Sequence, residues 1–240
     1  MTGLPETPVD TPPNIVVLDL AAEDLRAVNQ RLQAAKPEDG PFRILHPRGA
    51  HALACGLNVG IDVEIEGHAG YYCAGMNKSA RITVNGNAGV GVAENMMAGE
   101  VWVKGDASQS AGATAHGGLL VVEGNTAARC GISLKGAHIV VKGNVGHMSM
   151  FLAQAGRLVV LGDAGDSLGD SIYEARIYVR GKVASLGADC IEKDMREAHR
   201  EELRTLLDRA GCTDAHIADF RRYGSARELY HFKVENLDSY

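Results

Sequence analysis

The chain has 240 residues, 45% hydrophobic but only 5% aromatic, with 29 glycines and a formal net charge of −6. That acidic balance, without a basic stripe, argues against nucleic acid or an anionic membrane as the main partner. No apolar run approaches the ~20 residues of a membrane span, and MTGLPETPVDTPP does not have the pattern of a signal peptide, so a cytoplasmic setting is expected.

Residues 1–13 read as a flexible tail. Residues 14–43 read as a capping unit, with a short strand from Asn14 to Asp19 and a helix from about Ala21 to Ala35 that aligns Leu25, Val28 and Leu32 on one face.

Residues 44–190 repeat. Gly67, Gly86, Gly105, Gly124, Gly143, Gly162 and Gly181 stand 19 residues apart and close the segments VEIEG, ITVNG, VWVKG, LVVEG, IVVKG, LVVLG and IYVRG. Two residues before each glycine stands Ile65, Val84, Val103, Val122, Val141, Val160 or Val179, and four before it Val63, Ile82, Val101, Leu120, Ile139, Leu158 or Ile177. Side chains alternate faces along a strand, so both columns point inward. A polar residue or His usually follows the glycine, which is turn chemistry, and the glycine is expected there for its tolerance of positive φ. Helical repeats run to about 33–47 residues, so this period calls for coils of two or three short strands. Stacking the coils about 4.8 Å apart gives an all-β solenoid, a right-handed parallel β-helix of about seven 19-residue coils. Residues 44 to 62 form a degenerate eighth coil with Arg48 in the glycine column, as suits a terminal cap.

Residues 191–240 read as C-terminal helices and an extended docking tail. A helix over 191–210 sets Ile191, Met195, Leu203, Leu206 and Leu207 on one stripe, with Gly211 as its C-terminal cap. A second short helix is expected over Asp214 to Tyr223, followed by the extended segment ARELYHFKVENLDSY.

Catalytic patterns are sparse. Cys55, Cys73, Cys130, Cys190 and Cys212 form no CxxC and no metal-ligand spacing, and read as buried small hydrophobes. Asp163, Asp166, Asp170 and Glu174 cluster in one coil, but neighbouring coils place no acids in register with them, so a solvated turn outweighs glycosidase-like chemistry. Ser108, Ser110, Thr114 and His116 lack a third group to orient the histidine. His68, His116, His138 and His147 fall in different columns and read as turn or surface residues. The chain itself is expected to hold neither cofactor nor metal.

One outward column is unusual. Three residues before each glycine the sequence reads Glu64, Thr83, Trp102, Val121, Val140, Val159 and Tyr178, an apolar ladder from Trp102 onward. A surface that large needs a cover, either this chain's helix at 191–210 or a partner protein. Tyr71, Tyr72, Met76, Met96, Met97, Met148, Met150 and Phe151 supply adaptable interface material near turns, shared between core and surface. Trp102, Val121, Val140, Val159, Tyr178, Tyr71, Tyr72 and Met97 are therefore the candidate partner interface.

The segments GHAGYYCAGMNK, GVAENMMAG, GDASQSAGATAHGGLLVVEGN, AQAGRLVVLGDAG, YEARIYVRG and ADFRRYGSARELY resemble the GxGxG β-helix domain at the C-terminal end of the glutamate synthase large subunit. The resemblance is closest to the stand-alone GxGxG subunit of N-methylglutamate synthase and spans roughly residues 40 to 235. It implies a non-catalytic scaffold in a hetero-oligomer. One partner would be a class II amidotransferase-like subunit, and another a glutamate-synthase-like subunit carrying FMN and an iron–sulfur cluster. The implied reaction converts methylamine and L-glutamate to N-methyl-L-glutamate and ammonia. A glutamine-dependent glutamate synthase is the alternative within the family. A free-standing β-helix enzyme acting on saccharide or acyl substrates, and a self-associating rod, are the alternatives outside it.

Overall fold

The computed structural model describes residues 15–228. The tail expected over 1–13 and the end of the docking segment, 229–240, lie outside them.

The architecture is a single-stack parallel β-solenoid. Its repeating strands are β3 (Asp62–Ile65), β4 (Arg81–Val84), β5 (Glu100–Val103), β6 (Leu119–Val122), β7 (Lys135–Val141), β8 (Ala155–Val160) and β9 (Arg176–Val179). They pair in register, so that Val63, Ile82, Val101, Leu120, Ile139, Leu158 and Ile177 form one continuous row. Both inward rows are fully or almost fully buried, together with Ala, Cys73 and Cys130 from the turns. Two further parallel strands, β1 (Val16–Asp19) and β2 (Phe42–Leu45), extend the sheet at its N-terminal end. Strand β2 pairs with β3 at an offset of 21 residues, Ile44 opposite Ile65. Arg48 consequently falls outside the glycine column, and Pro47 faces Gly67.

Each coil contains less strand than the period suggested. Beyond the strand, isolated parallel bridges run along the row Ala69, Ala88, Ala107, Thr126, Val145, Ala164 and Val183, with a second bridge between Leu168 and Leu186 in the last coils. The remaining wall is not β structure. Every second residue there has left-handed φ, as at Tyr72, Ala74 and Met76, then Gly91, Ala93 and Asn95, then Ser110, Gly112 and Thr114. Alternate amides consequently point to opposite neighbours. The Ala93 N–H donates to the Cys73 carbonyl of the preceding coil, and the Asn95 N–H donates to the Ala113 carbonyl of the next. A non-glycine residue in that region costs on the order of 1 kcal/mol, offset here by hydrogen bonding to two coils at once.

The column glycines serve a different purpose from the one expected. Among the seven, only Gly67 lies at clearly positive φ. The rest are glycine because the neighbouring coil lies too close for a Cβ. A Cβ on Gly143 would sit 2.6 Å from the Gly124 carbonyl oxygen and 2.6 Å from Asn125 Oδ1. The glycines bond to one another directly: the Gly143 amide donates to Gly124 at 2.9 Å, and the Gly162 amide to Gly143 at 3.0 Å. The next residue in each coil completes a second ladder. His68 Nδ1 and the Oδ1 atoms of Asn87, Asp106, Asn125, Asn144 and Asp163 each accept the backbone N–H 19 residues onward, at 2.7–2.9 Å.

The two ends are closed by different means. Helix α1 (Leu25–Ala34) begins at Asp24, whose carboxylate accepts the Ala27 N–H, and buries Val28 and Leu32 on the first coil. Its Asn29 accepts the Ala54 N–H and donates to the Ala52 carbonyl, while Gln33 donates to the Cys55 carbonyl. Side-chain amides therefore take the hydrogen bonds that another coil would supply. At the other end, Ile191 is not in a helix but in strand β10 (Cys190–Lys193), and helix α2 spans only Glu197–Arg209. A Schellman closure follows, with Gly211 at φ +66 and the Cys212 N–H bonded to the Leu207 carbonyl. The second helix expected over Asp214 to Tyr223 is a single 3-10 turn, Ile217–Asp219, leading into strand β11 (Arg221–Ser225). Strand β11 inserts antiparallel between β9 and β10 and ends the parallel ladder.

Gly143→Ala should lower stability by about 1–3 kcal/mol in urea unfolding, because the inserted methyl meets backbone that cannot move without breaking the ladder. Gly60→Ala, where a Cβ meets nothing within 4 Å, should be near neutral.

Candidate functional site

The apolar ladder has an intramolecular cover. Val121, Val140, Val159 and Tyr178 are fully buried beneath Leu203, Leu206 and Leu207 of α2, with Ala210, Cys212 and Phe220 of the following segment. As candidate partner contacts these four ladder residues are therefore corrected. The sequence allowed either cover, and helix α2 provides it. Its 13 residues span about 20 Å, matching the four inter-strand spacings of about 4.8 Å from β5 to β9. Trp102, at the end of the ladder, remains half-buried under cations, with Lys104 Nζ at 5.4 Å and the Arg81 guanidinium at 5.9 Å from its ring centroid.

Ion pairs fix the direction of α2. At its N-terminal half Glu202 accepts the Tyr178 hydroxyl at 2.5 Å and pairs with Arg157 at 2.7 Å and Arg176 at 2.9 Å. At its end Arg209 reaches Glu100 of β5 at 3.5 Å. Burial alone would raise the Glu202 carboxyl, but the Tyr178 hydroxyl and the two guanidinium groups outweigh it and hold the pKa below the ordinary glutamate value. His138, half-buried near Arg157 and Arg209, is held below the usual histidine range, first by burial and then by those cations.

The second set of candidates divides. Met96 and Met150 are core, Met148 and Phe151 are half-buried, and Tyr71, Met76 and Met97 are 58%, 48% and 47% exposed. These three lie on the left-handed wall of the early coils. The Met97 amide donates to the Asn77 carbonyl, which places Met97 on the coil next to Met76. Tyr71 stacks on His51 with centroids 4.6 Å apart, and the hydroxyl of half-buried Tyr72 accepts from Asn95 at 3.1 Å. Met76 and Met97 thus lie exposed on adjoining coils, with Tyr71 further along the same wall, on backbone anchored to the neighbouring coils.

The acidic cluster, Thr114 and His68 are occupied by structural bonds. Asp163 accepts the Lys182 amide, Asp166 the Ser185 hydroxyl, Asp170 the Ser171 hydroxyl and the Ala188 amide, and Glu174 pairs with Arg227. The Thr114 hydroxyl donates to Asn95 Oδ1. His68 accepts a turn amide and His51 accepts the Tyr71 amide. All five cysteines are free and buried, and burial pushes the Cys73 and Cys130 thiols up to about 12, far from nucleophilic thiolates. Among the described residues no group of three or more His, Cys, Asp or Glu could hold a metal ion, and no helix is long and apolar enough to cross a membrane.

Fold and surfaces together define a parallel β-solenoid braced by its own helices, with Tyr71, Met76 and Met97 among the large apolar side chains left uncovered. No protein-family model matches the chain. It is similar to Protein GlxC of Rhizobium meliloti (strain 1021), with 56% identity over 226 residues that cover 93% of this chain and 99% of that protein. At that identity and coverage, the chain belongs to the GlxC family.

Leu206→Ala should cost about 2–5 kcal/mol by opening the contact between α2 and the ladder, measured by urea or thermal unfolding. The Glu202 pKa is lowered on folding, so its contribution is present above the ordinary glutamate pKa and is lost as pH falls through the folded value. Glu202→Gln should therefore be less stable than the parent at pH 7, and the difference should shrink below about pH 4.3 in pH-dependent unfolding.

Proposed function

We propose that this chain is a non-catalytic scaffold subunit of a glutamate-synthase-like flavoprotein complex, and specifically the GxGxG subunit of an N-methylglutamate synthase. In this reading the amidotransferase-like subunit and the subunit holding FMN and an iron–sulfur cluster carry out the chemistry. Methylamine and L-glutamate enter, and N-methyl-L-glutamate and ammonia leave. This chain sets the distance and orientation between the two partners. The resemblance of its glycine-rich segments to that family supports the assignment, as does membership of the GlxC family.

The observation that carries the scaffold role is the patch formed by Tyr71, Met76 and Met97. Large apolar side chains grouped in the open are interface material. Their backbone is bonded to coils on both sides, so the surface is ordered before a partner arrives and little further entropy is lost on docking. The same scaffold would serve a glutamine-dependent glutamate synthase. The two assignments differ only in which substrates the assembled complex turns over.

Co-expression with an amidotransferase-like and an FMN-domain subunit should give a complex that co-purifies through this chain. Met76→Glu combined with Met97→Glu should abolish co-purification and leave the melting temperature of the isolated chain unchanged. Equal recovery of partners with that double variant would remove the patch from the interface. Turnover of methylamine with glutamate by the reconstituted complex, against turnover of glutamine with 2-oxoglutarate, decides between the two assignments.

A further inference from the structure

Where α2, β10 and β11 meet β9, the C-terminal end of the stack encloses a cleft of about 420 Å³. Arg176, Lys193, Arg196, His199, Arg222 and Arg227 line it, with Glu174 as the acidic residue among the lining side chains. In a chain of net charge −6 this is a local reversal of sign.

Internal bonds leave much of that charge uncompensated. Arg227 pairs with Glu174, and Arg176 with Glu202. Lys193 instead donates to the Ser225 carbonyl, and Arg222 Nε to the Asp194 carbonyl; these neutral oxygens fix the side chains without cancelling their charge. Among the described residues neither Lys193, Arg196 nor Arg222 lies within 4 Å of a carboxylate. The electrostatic strain registers on the neighbours. Arg222 is pulled below the usual arginine range, first by burial and then by Arg176 and Arg196, although Tyr178 and Asp194 act the other way. His199 is pulled down by burial and then by Arg222 and Arg176, against an opposing effect of Glu202 and with a lesser contribution from Arg196. Its Nδ1 accepts the Arg196 amide, which leaves Nε2 as the protonated, donating nitrogen of the neutral ring. Helix α2 begins at the same cleft and adds the positive end of its dipole.

We propose that this cleft binds a small polyanion, a phosphate or a dicarboxylate, through the uncompensated Lys193, Arg196 and Arg222. Two negative charges would offset most of the local excess, and the planar guanidinium groups suit the paired oxygens of either ligand class. The cleft is formed by four elements that close the end of the stack, away from the Tyr71, Met76 and Met97 patch. It can therefore be occupied independently of that patch.

The test is calorimetric titration of the full chain with inorganic phosphate and, separately, with succinate, each against sodium chloride at matched ionic strength. Binding of either anion above chloride supports the site, and the stronger of the two names the ligand class. Arg196→Gln alters an exposed side chain with no carboxylate partner. It should fold with an unchanged melting temperature and weaken binding about tenfold, the loss expected for one charge-assisted hydrogen bond. Arg222→Gln gives a second reading of the same loss. Three results would overturn the proposal: no binding above chloride, undiminished binding in both variants, or binding that appears only in Glu235→Gln with Asp238→Asn. The last would make the acidic C-terminal residues of this chain the natural occupant.

Discussion

The structure depends on how closely one coil can approach the next. From Gly86 onward the glycine column leaves no room for a methyl group, and from Gly105 onward each glycine amide is spent on the glycine carbonyl beneath it. That contact sets the vertical spacing, and the Asn/Asp ladder beside it holds the turn at the same height. With height and turn fixed, the inward Val, Ile and Leu rows superimpose, and the left-handed wall can share its amides upward and downward. A change at the column is therefore felt by the sheet and by the opposite wall together.

The outer ladder shows how a solenoid gains a second layer. Strands that bury one face alternate polar and apolar side chains, but β6 is buried at every position because α2 lies on its outer face. The helix is held by apolar contact from Leu203 to Leu207 and by charge on either side of that stretch, Glu202 with Tyr178, Arg157 and Arg176, and Arg209 with Glu100. Cover and core form separate apolar clusters with the sheet as the wall between them. What stays uncovered on the left-handed wall of the early coils is correspondingly distinctive.

Most of the stack was legible because its information repeats. Seven glycines and two apolar columns state the register seven times, and both columns lie where the sequence placed them. The C-terminal closure was not legible, since Ile191 and the Phe220 to Tyr223 stretch have apolar spacings that fit a helix locally, and only pairing with β9 and with each other makes them strands. The left-handed wall was hidden because Ala, Ser, Asn, Thr and Met adopt positive φ there under inter-coil hydrogen bonding, with no residue type to announce it. The ladder was recognised as needing a cover, but a contact between residues 24 or more positions apart leaves no local mark. The cationic cleft escaped notice for the same reason: Arg176, Arg196 and Arg222 meet only through the fold.

The Asn/Asp ladder also has a grammar. Each member accepts from the coil above and offers its own amide to the coil below, so any internal coil has the same connectors at top and bottom. The series closes at Lys182, which gives its amide to Asp163 but has no side-chain acceptor for a further coil. The number of coils is thus written into the chain as a punctuation mark. Duplicating the coil between His68 and Asn87 preserves every connector and leaves the strands beneath α2 unchanged, whereas growth beyond Lys182 has nothing to attach to. Length is adjustable on the N-terminal side of β5, where a longer spacer leaves the Arg209–Glu100 anchor of α2 in place.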